Sequence, residues 1–255
     1  QDKQEYKELG VDGPNYGKNA IFKEYGERPC GQGKQFGAFE VIQKIAKGEL
    51  TIDELVLDPV HCVMLDRNHR MLQAAEAQWH KKVAQMDPPE RKSRWYVGPS
   101  GCGKSFKANE LAKICAGEDN GGVHRPISSE LQKGWGFCGY DWRYHHDVVF
   151  DEMDGSLKFK DGLRLMDQYP YTVPHRGRTP KPWMAKRLWF TSTRRPEEIW
   201  QHQAQTGESM TQWYRRCKLF VWDEDKKEFI EDTDPMSNLE VVQPGLAPGF
   251  SPGEH

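Results

Sequence analysis

The chain has 255 residues and a mass of 29.5 kDa, room for one large domain or two modest ones. Hydrophobic residues are 36% and charged residues 29%, the mean hydropathy is -0.85, and no apolar run approaches the ~20 residues that span a bilayer, which excludes a transmembrane helix. The net charge of -2, taken whole, argues against a nucleic-acid partner, and six cysteines scattered without a CxxC pair read as free thiols rather than a disulfide framework.

In chain order, residues 1–35 are Gly- and charge-rich and read as a remnant or linker. The start on Gln1 suggests a piece of a longer protein. Residues 36–86 read as a small helical domain. Phe39, Ile42 and Ile45 share one face before a stop at Gly48, and Thr51 to Glu54 spells a capping box. Asp58-Pro59 ends that short helix. A longer one follows, marked by Val60, Val63, Met64, Met71, Leu72, Ala75 and Trp79. So small a module cannot bury much core alone, so its apolar faces should pack on the next domain or on another subunit.

The stretch from Asp87 through Pro88 and Pro89 to Lys92 reads as a boundary. Beyond it, residues 87–222 have an α/β texture. Strands are predicted at Arg94–Val97, Val148–Phe150 and Leu188–Thr191, with a helix at Phe106–Cys115. From Asp223 onward, nine acids, two lysines and four prolines read as a disordered acidic tail, residues 223–255.

The sharpest motif is Gly98, Pro99, Ser100, Gly101, Cys102, Gly103, Lys104 and Ser105, a full GxxxxGK[ST] phosphate loop between a strand and a helix. Its glycines let backbone N–H groups curl around nucleotide phosphates; Lys104 adds charge, and the Ser105 hydroxyl can ligate Mg²⁺. The bland alternative, a Gly-rich turn, is disfavoured by that strand–helix context. The strand Val148–Phe150 then ends on Asp151, suited to a metal, and Glu152, suited to activating water. Asp147 and Asp154 read as ordinary solvated carboxylates. Thr193 closes a further strand where a polar group could contact a γ-phosphate. Arg215 and Arg216 are candidates for an arginine finger, or an exposed basic pair. Between His175 and Arg195 lie seven Lys/Arg and no acid, which reads as a phosphate-facing loop or a solvated basic one.

Taken in order, Gly98 to Ser105, Val148 to Glu152, Leu163 to Val173, Trp189 to Thr193 and Trp213 to Trp222 resemble the replication initiator (Rep) proteins of circovirus-like circular single-stranded DNA viruses. The likeness is to their superfamily 3 helicase part. It is strong over roughly residues 95–222 and weak upstream. It implies an AAA+-like P-loop parallel sheet flanked by helices, preceded by a helical oligomerisation domain. It also implies ATP and Mg²⁺ as cofactors, single-stranded DNA and a homo-oligomeric ring, a hexamer, as partners, no membrane, and the host nucleus as location. A DNA-contacting hairpin is implied at Arg176, Arg178 and Lys181. Two departures stand out: Thr193 replaces the family's usual Asn, and the nicking-endonuclease half, with its His-hydrophobic-His and Tyr-x-x-Lys patterns, is missing from this sequence. The expected activity is ATP-dependent unwinding during rolling-circle replication. The alternatives are a nucleotide-gated DNA-binding scaffold with slow hydrolysis and no unwinding, and a helicase directed to RNA.

The charge then reads differently. The tail carries -7, which leaves +5 for residues 1–222, so near-neutrality conceals a basic surface joined to an acidic tail.

Overall fold

The computed structural model of the chain describes residues 36–57, 62–86, 88–133, 136–204 and 208–237. The readings made for residues 1–35, for Asp58 to Val60 and for the tail beyond residue 237 lie outside the described residues. The chain divides into two compact units, Gln1–Phe39 and Glu40–His255; of the first, only residues 36–39, which open helix α1, are described.

Three helices come first: α1 (Phe36–Lys47), α2 (Ile52–Leu57) and α3 (Cys62–Met86). Helix α1 ends on Gly48 at φ 77°, with Gly48 N–H donating to Ile45 O and Glu49 N–H to Lys44 O, both at 2.9 Å. That pair of bonds is a Schellman stop. The Trp79 ring of α3 lies against Gly48 so closely that a Cβ there would sit 2.1 Å from it, so both the φ and the packing require glycine. The expected capping box forms: Thr51 N–H donates to Glu54 Oε2 (2.7 Å) and Glu54 N–H to Thr51 Oγ1 (3.2 Å). These bonds hold the Glu54 carboxyl below its ordinary pKa. Val41, Ile45, Leu55, Leu72 and Ala75 make a small core. Of the apolar face expected at Phe39, Ile42 and Ile45, Ile45 is in this core and Ile42 packs against it, joined by Val41, whereas Phe39 is exposed.

Residues 40–86 belong to the same compact unit as the sheet that follows. The stretch read as a boundary holds Arg91, which is buried and donates to Trp183 O at 2.7 Å. Burial pushes its pKa down to about 10.

The sheet contains β1 (Lys92–Val97), β2 (Gly122–His124), β3 (His145–Phe150), β6 (Arg187–Ser192), β7 (Cys217–Asp223) and β8 (Glu228–Asp232). Its order is β2-β3-β6-β1-β7-β8, parallel except for the antiparallel β7–β8 pair. A separate hairpin pairs β4 (Thr172–Val173) with β5 (Lys181–Pro182). The remaining helices are α4 (Lys104–Glu118), α5 (Ser128–Leu131), α6 (Phe159–Met166), α7 (Pro196–Ile199), α8 (Gln201–Ala204) and α9 (Glu208–Tyr214).

Both faces of the central strands are buried, as a parallel sheet requires. On one face Trp95, Phe150 and Phe190 pack with Trp200 and Trp213. On the other, Tyr96, Val149 and Trp189 meet Ala108 and Ala112 of α4, whose small side chains at i, i+4 let the helix lie close. Among the described residues no helix is long and apolar enough to cross a membrane.

Two expectations are corrected. The tail is ordered at its start: β8 pairs with β7 from Leu219↔Asp232 to Asp223↔Glu228, and Phe229 packs edge-on against Tyr96 and Trp222. The apolar pair Phe229–Ile230 can close a sheet edge even though the surrounding composition is acidic. Asp147 is not solvated but fully buried. It takes Arg187 Nε and a terminal guanidinium nitrogen (both 2.8 Å) and Trp189 Nε1–H (2.9 Å). Arg187 also donates to Asp119 at 2.6 Å and to Cys115 O at 3.0 Å, tying the end of α4 to β3 and β6. The Asp147 bonds raise the Arg187 pKa, and Arg187 in turn lowers that of Asp119. Asp154 is exposed, as expected, and accepts Ser156 N–H. Cys102, Cys115, Cys138 and Cys217 are free thiols.

Candidate functional site

Strands β1, β6 and β3 are neighbours and parallel, so their C-terminal ends share one edge of the sheet. The loop Gly98 to Ser105 leaves β1 there, Thr193 follows β6, and Asp151 and Glu152 follow β3. This edge is where open α/β sheets bind ligands.

Gly101 and Gly103 sit at φ 83° and 87°, and an added Cβ at either would meet nothing within 4 Å. Backbone conformation, not packing, therefore requires glycine at both. Lys104 is buried to 8% exposure and its ammonium donates to Pro99 O at 3.2 Å, so the side chain folds back over its own loop. Helix α4 starts at Lys104 with no side-chain cap, which leaves its first N–H groups directed at whatever the loop encloses. The loop is pinned to β6 by Gly98 N–H donating to Ser192 O (3.4 Å).

The acidic pair is held by a residue the sequence reading passed over. Thr191, fully buried, donates its hydroxyl proton to Asp151 Oδ1 (2.5 Å) and accepts Glu152 N–H (3.0 Å). Met153 N–H donates to Thr191 O (2.7 Å), and Ser192 Oγ–H to Met153 O (2.6 Å). Glu152 has φ 52°, a left-handed conformation uncommon for glutamate, and these bonds maintain it. Thr193, the expected γ-phosphate contact, is exposed at the strand end and makes no hydrogen bond among the described residues. A threonine inside an otherwise apolar strand was the available signal for Thr191.

Among the described residues no group of three or more His, Cys, Asp or Glu could hold a metal ion unaided. A cation at this edge would draw on Ser105 and Asp151 and complete its shell from phosphate oxygens and water, the arrangement Mg²⁺ favours. The donor set fits: both are oxygen ligands, and Asp151 Oδ2 is unclaimed among the described residues.

Arg215 and Arg216 precede β7, at the opposite edge from the loop because β7 runs parallel to β1. The structure therefore does not bring them to the loop of their own chain. Arg216 is anchored, donating to Asp167 (3.1 Å) and to Gln212 O (2.9 Å). Arg215 is exposed. The basic segment forms the expected hairpin, with Arg176 and Arg178 in the connection and Lys181 on β5. Its connection lies along α2 and α3: Arg178 pairs with Asp53 (2.5 Å), Thr179 donates to Glu76, and His80 Nδ1–H donates to Pro180 O (2.9 Å).

Histidines surround the base of this hairpin. His124 is 6% exposed, its ring centroid 5.3 Å from that of His145, and His175 Nε2 accepts Gly139 N–H (3.3 Å). Burial, then His145 and His175, push the His124 pKa from 6.5 down to about 3. Burial also lowers His80, His145, His146 and His175. Below pH 6.5 the unfolded chain takes up protons that the fold refuses, so stability falls as pH drops, until His124 itself protonates near pH 3. At 1.36 kcal/mol per pH unit, His124 alone should remove about 3 kcal/mol by pH 4.5. Thermal unfolding midpoints from pH 7.5 to 4.5 should drop steeply, and less steeply in His124→Gln; identical slopes would count against this assignment.

No protein-family model matches the chain. The replication-associated protein of human associated cyclovirus 1 is 29% identical over 191 residues, covering 73% of this chain and 62% of that protein. Those of porcine circovirus 1 and beak and feather disease virus are each 36% identical, over 104 and 101 residues. These two matches cover 40% and 39% of this chain, and 28% and 29% of those proteins. The chain is similar to circovirus and cyclovirus replication-associated (Rep) proteins. It spans less than two thirds of the length of these curated Rep proteins. A closed-state cryo-EM reconstruction of Hsp104 with ATPγS and FITC casein is 14% identical. It covers 71% of this chain and 34% of that one, at a TM-score of 0.30.

Proposed function

We propose that this Rep relative is an ATP-dependent DNA helicase of the superfamily 3, AAA+-like type, working as a homo-oligomeric ring, a hexamer, in viral replication initiation in the host nucleus. The observation that carries the reading is the shared strand edge, where the glycine loop, the Asp151–Glu152 pair and the end of β6 converge. Gly98 to Ser105 and the α4 N-terminus bind the ATP phosphates, and Lys104 swings from Pro99 O to the β/γ-phosphates. Bound Mg²⁺, held by Ser105 and Asp151, supplies charge neutralisation on the phosphates. Glu152 accepts the proton of the water attacking the γ-phosphorus, and ADP leaves. Thr193 closes the γ-phosphate side. Arg215, exposed at the far edge, reaches a neighbouring subunit's nucleotide, while Arg216 stays anchored to Asp167 and Gln212 O. Arg176, Arg178 and Lys181 grip single-stranded DNA, whose phosphates compete with Asp53 for Arg178.

Thr191 positions both carboxylates rather than touching ATP. Thr191→Val should lower kcat about tenfold to a hundredfold with little change in KM; an unchanged kcat would remove it from the machinery. The reading itself is tested by strand displacement on a tailed duplex. The wild type should displace the strand only with ATP, and Glu152→Gln should bind DNA and ATP without displacing it. Binding with slow hydrolysis and no displacement by the wild type would favour a scaffold instead, and displacement restricted to RNA tails an RNA helicase.

A further inference from the structure

A cavity of about 640 Å³ opens beside the glycine loop, a size typical of small-molecule sites. One wall is Gly103, Phe106 and Lys107, from the loop and the first turn of α4; the other includes Trp222, Glu228 and Phe229 of β7 and β8. Trp222 lies directly behind the loop, since a Cβ on Gly98 would come 2.7 Å from its Cβ. Its ring meets Phe229 edge-on at 5.1 Å. Phe106 is 71% exposed, so most of a large aromatic side chain is open to a ligand.

The sheet order gives the cavity a direction. Asp151 and Glu152 follow β3, to one side of β1, whereas β7 and β8 lie on the other. A nucleotide whose terminal phosphate points from the loop toward Glu152 must extend its opposite end toward β7 and β8. That end is the base, a flat π-system that stacks on aromatic side chains. We propose that this cavity is the base subsite of the nucleoside triphosphate, with Phe106 and Trp222 as its stacking faces. The assignment rests on reading Gly98 to Ser105 as the phosphate site.

Calorimetric titration of the 255-residue chain with ATP and, separately, with inorganic tripolyphosphate tests it. Phe106 is exposed, so Phe106→Ala should fold normally. It should bind ATP about tenfold more weakly and tripolyphosphate as the wild type does. Trp222→Leu should shift the same ratio in the same direction. Unchanged ATP affinity in Phe106→Ala, or equal weakening of both ligands, would overturn the base subsite. So would a wild type that binds tripolyphosphate as tightly as ATP, although the phosphate site would then stand. A wild type that binds neither ligand would instead overturn the phosphate-site reading.

Discussion

Lys104→Ala should abolish ATP turnover, with a loss of at least about 10²–10³-fold in kcat. Removing one aligned donor from a developing phosphoryl or oxyanion charge has effects of that order, about 3–4 kcal/mol in the transition state. Folding should hardly change, because among the described residues the ammonium's one hydrogen bond is to Pro99 O, on its own loop. An exchange of that bond for water is worth about 1 kcal/mol. Phosphate-release assays beside thermal unfolding separate the two effects. Turnover near the wild-type rate would remove the loop from the mechanism, and a large fall in melting temperature would mark Lys104 as structural.

Asp147→Ala should have the largest effect on stability, about 3 kcal/mol. Among the described residues, the substitution leaves Arg187 with Asp119 and Cys115 O, and strips the buried Trp189 Nε1–H of its acceptor. Breaking a buried pair by removing one partner typically costs about 3–5 kcal/mol, and the remaining Asp119 contact keeps this case at the lower end. Replacing both members, as Asp147→Leu with Arg187→Met, should recover much of the loss because no charge is then left unpaired. Chemical denaturation measures both variants. A single substitution that is neutral, or a double one no better than the single, would contradict the account.

Much of the candidate site could be read along the chain because a glycine loop is local. Successive residues supply the turn, the backbone donors and the helix start, and spacing alone specifies them from Gly98 to Ser105. The strand ending in Asp151 and Glu152 was equally visible as a short apolar run closed by acids. The Thr51–Glu54 capping box and the Gly48 stop belong to the same class, each closing within one helical turn.

What sequence order could not specify was which distant groups meet. Thr191 and Thr193 are chemically identical and two residues apart; only the register of β6 beside β3 buries the first between Asp151 and Glu152 and leaves the second in solvent. Asp147 and Asp151 are both acids at the ends of one apolar run, yet pairing across β6 places Arg187 and Trp189 on Asp147 alone. Composition averaged over the acidic tail hid β8, whose two apolar residues become meaningful only against β7. Local hydrogen bonding and steric limits wrote the loop and the caps into the chain itself. Buried partnerships between residues about 40 positions apart, and the edge that gathers the candidate site, were decided by the packing of the sheet.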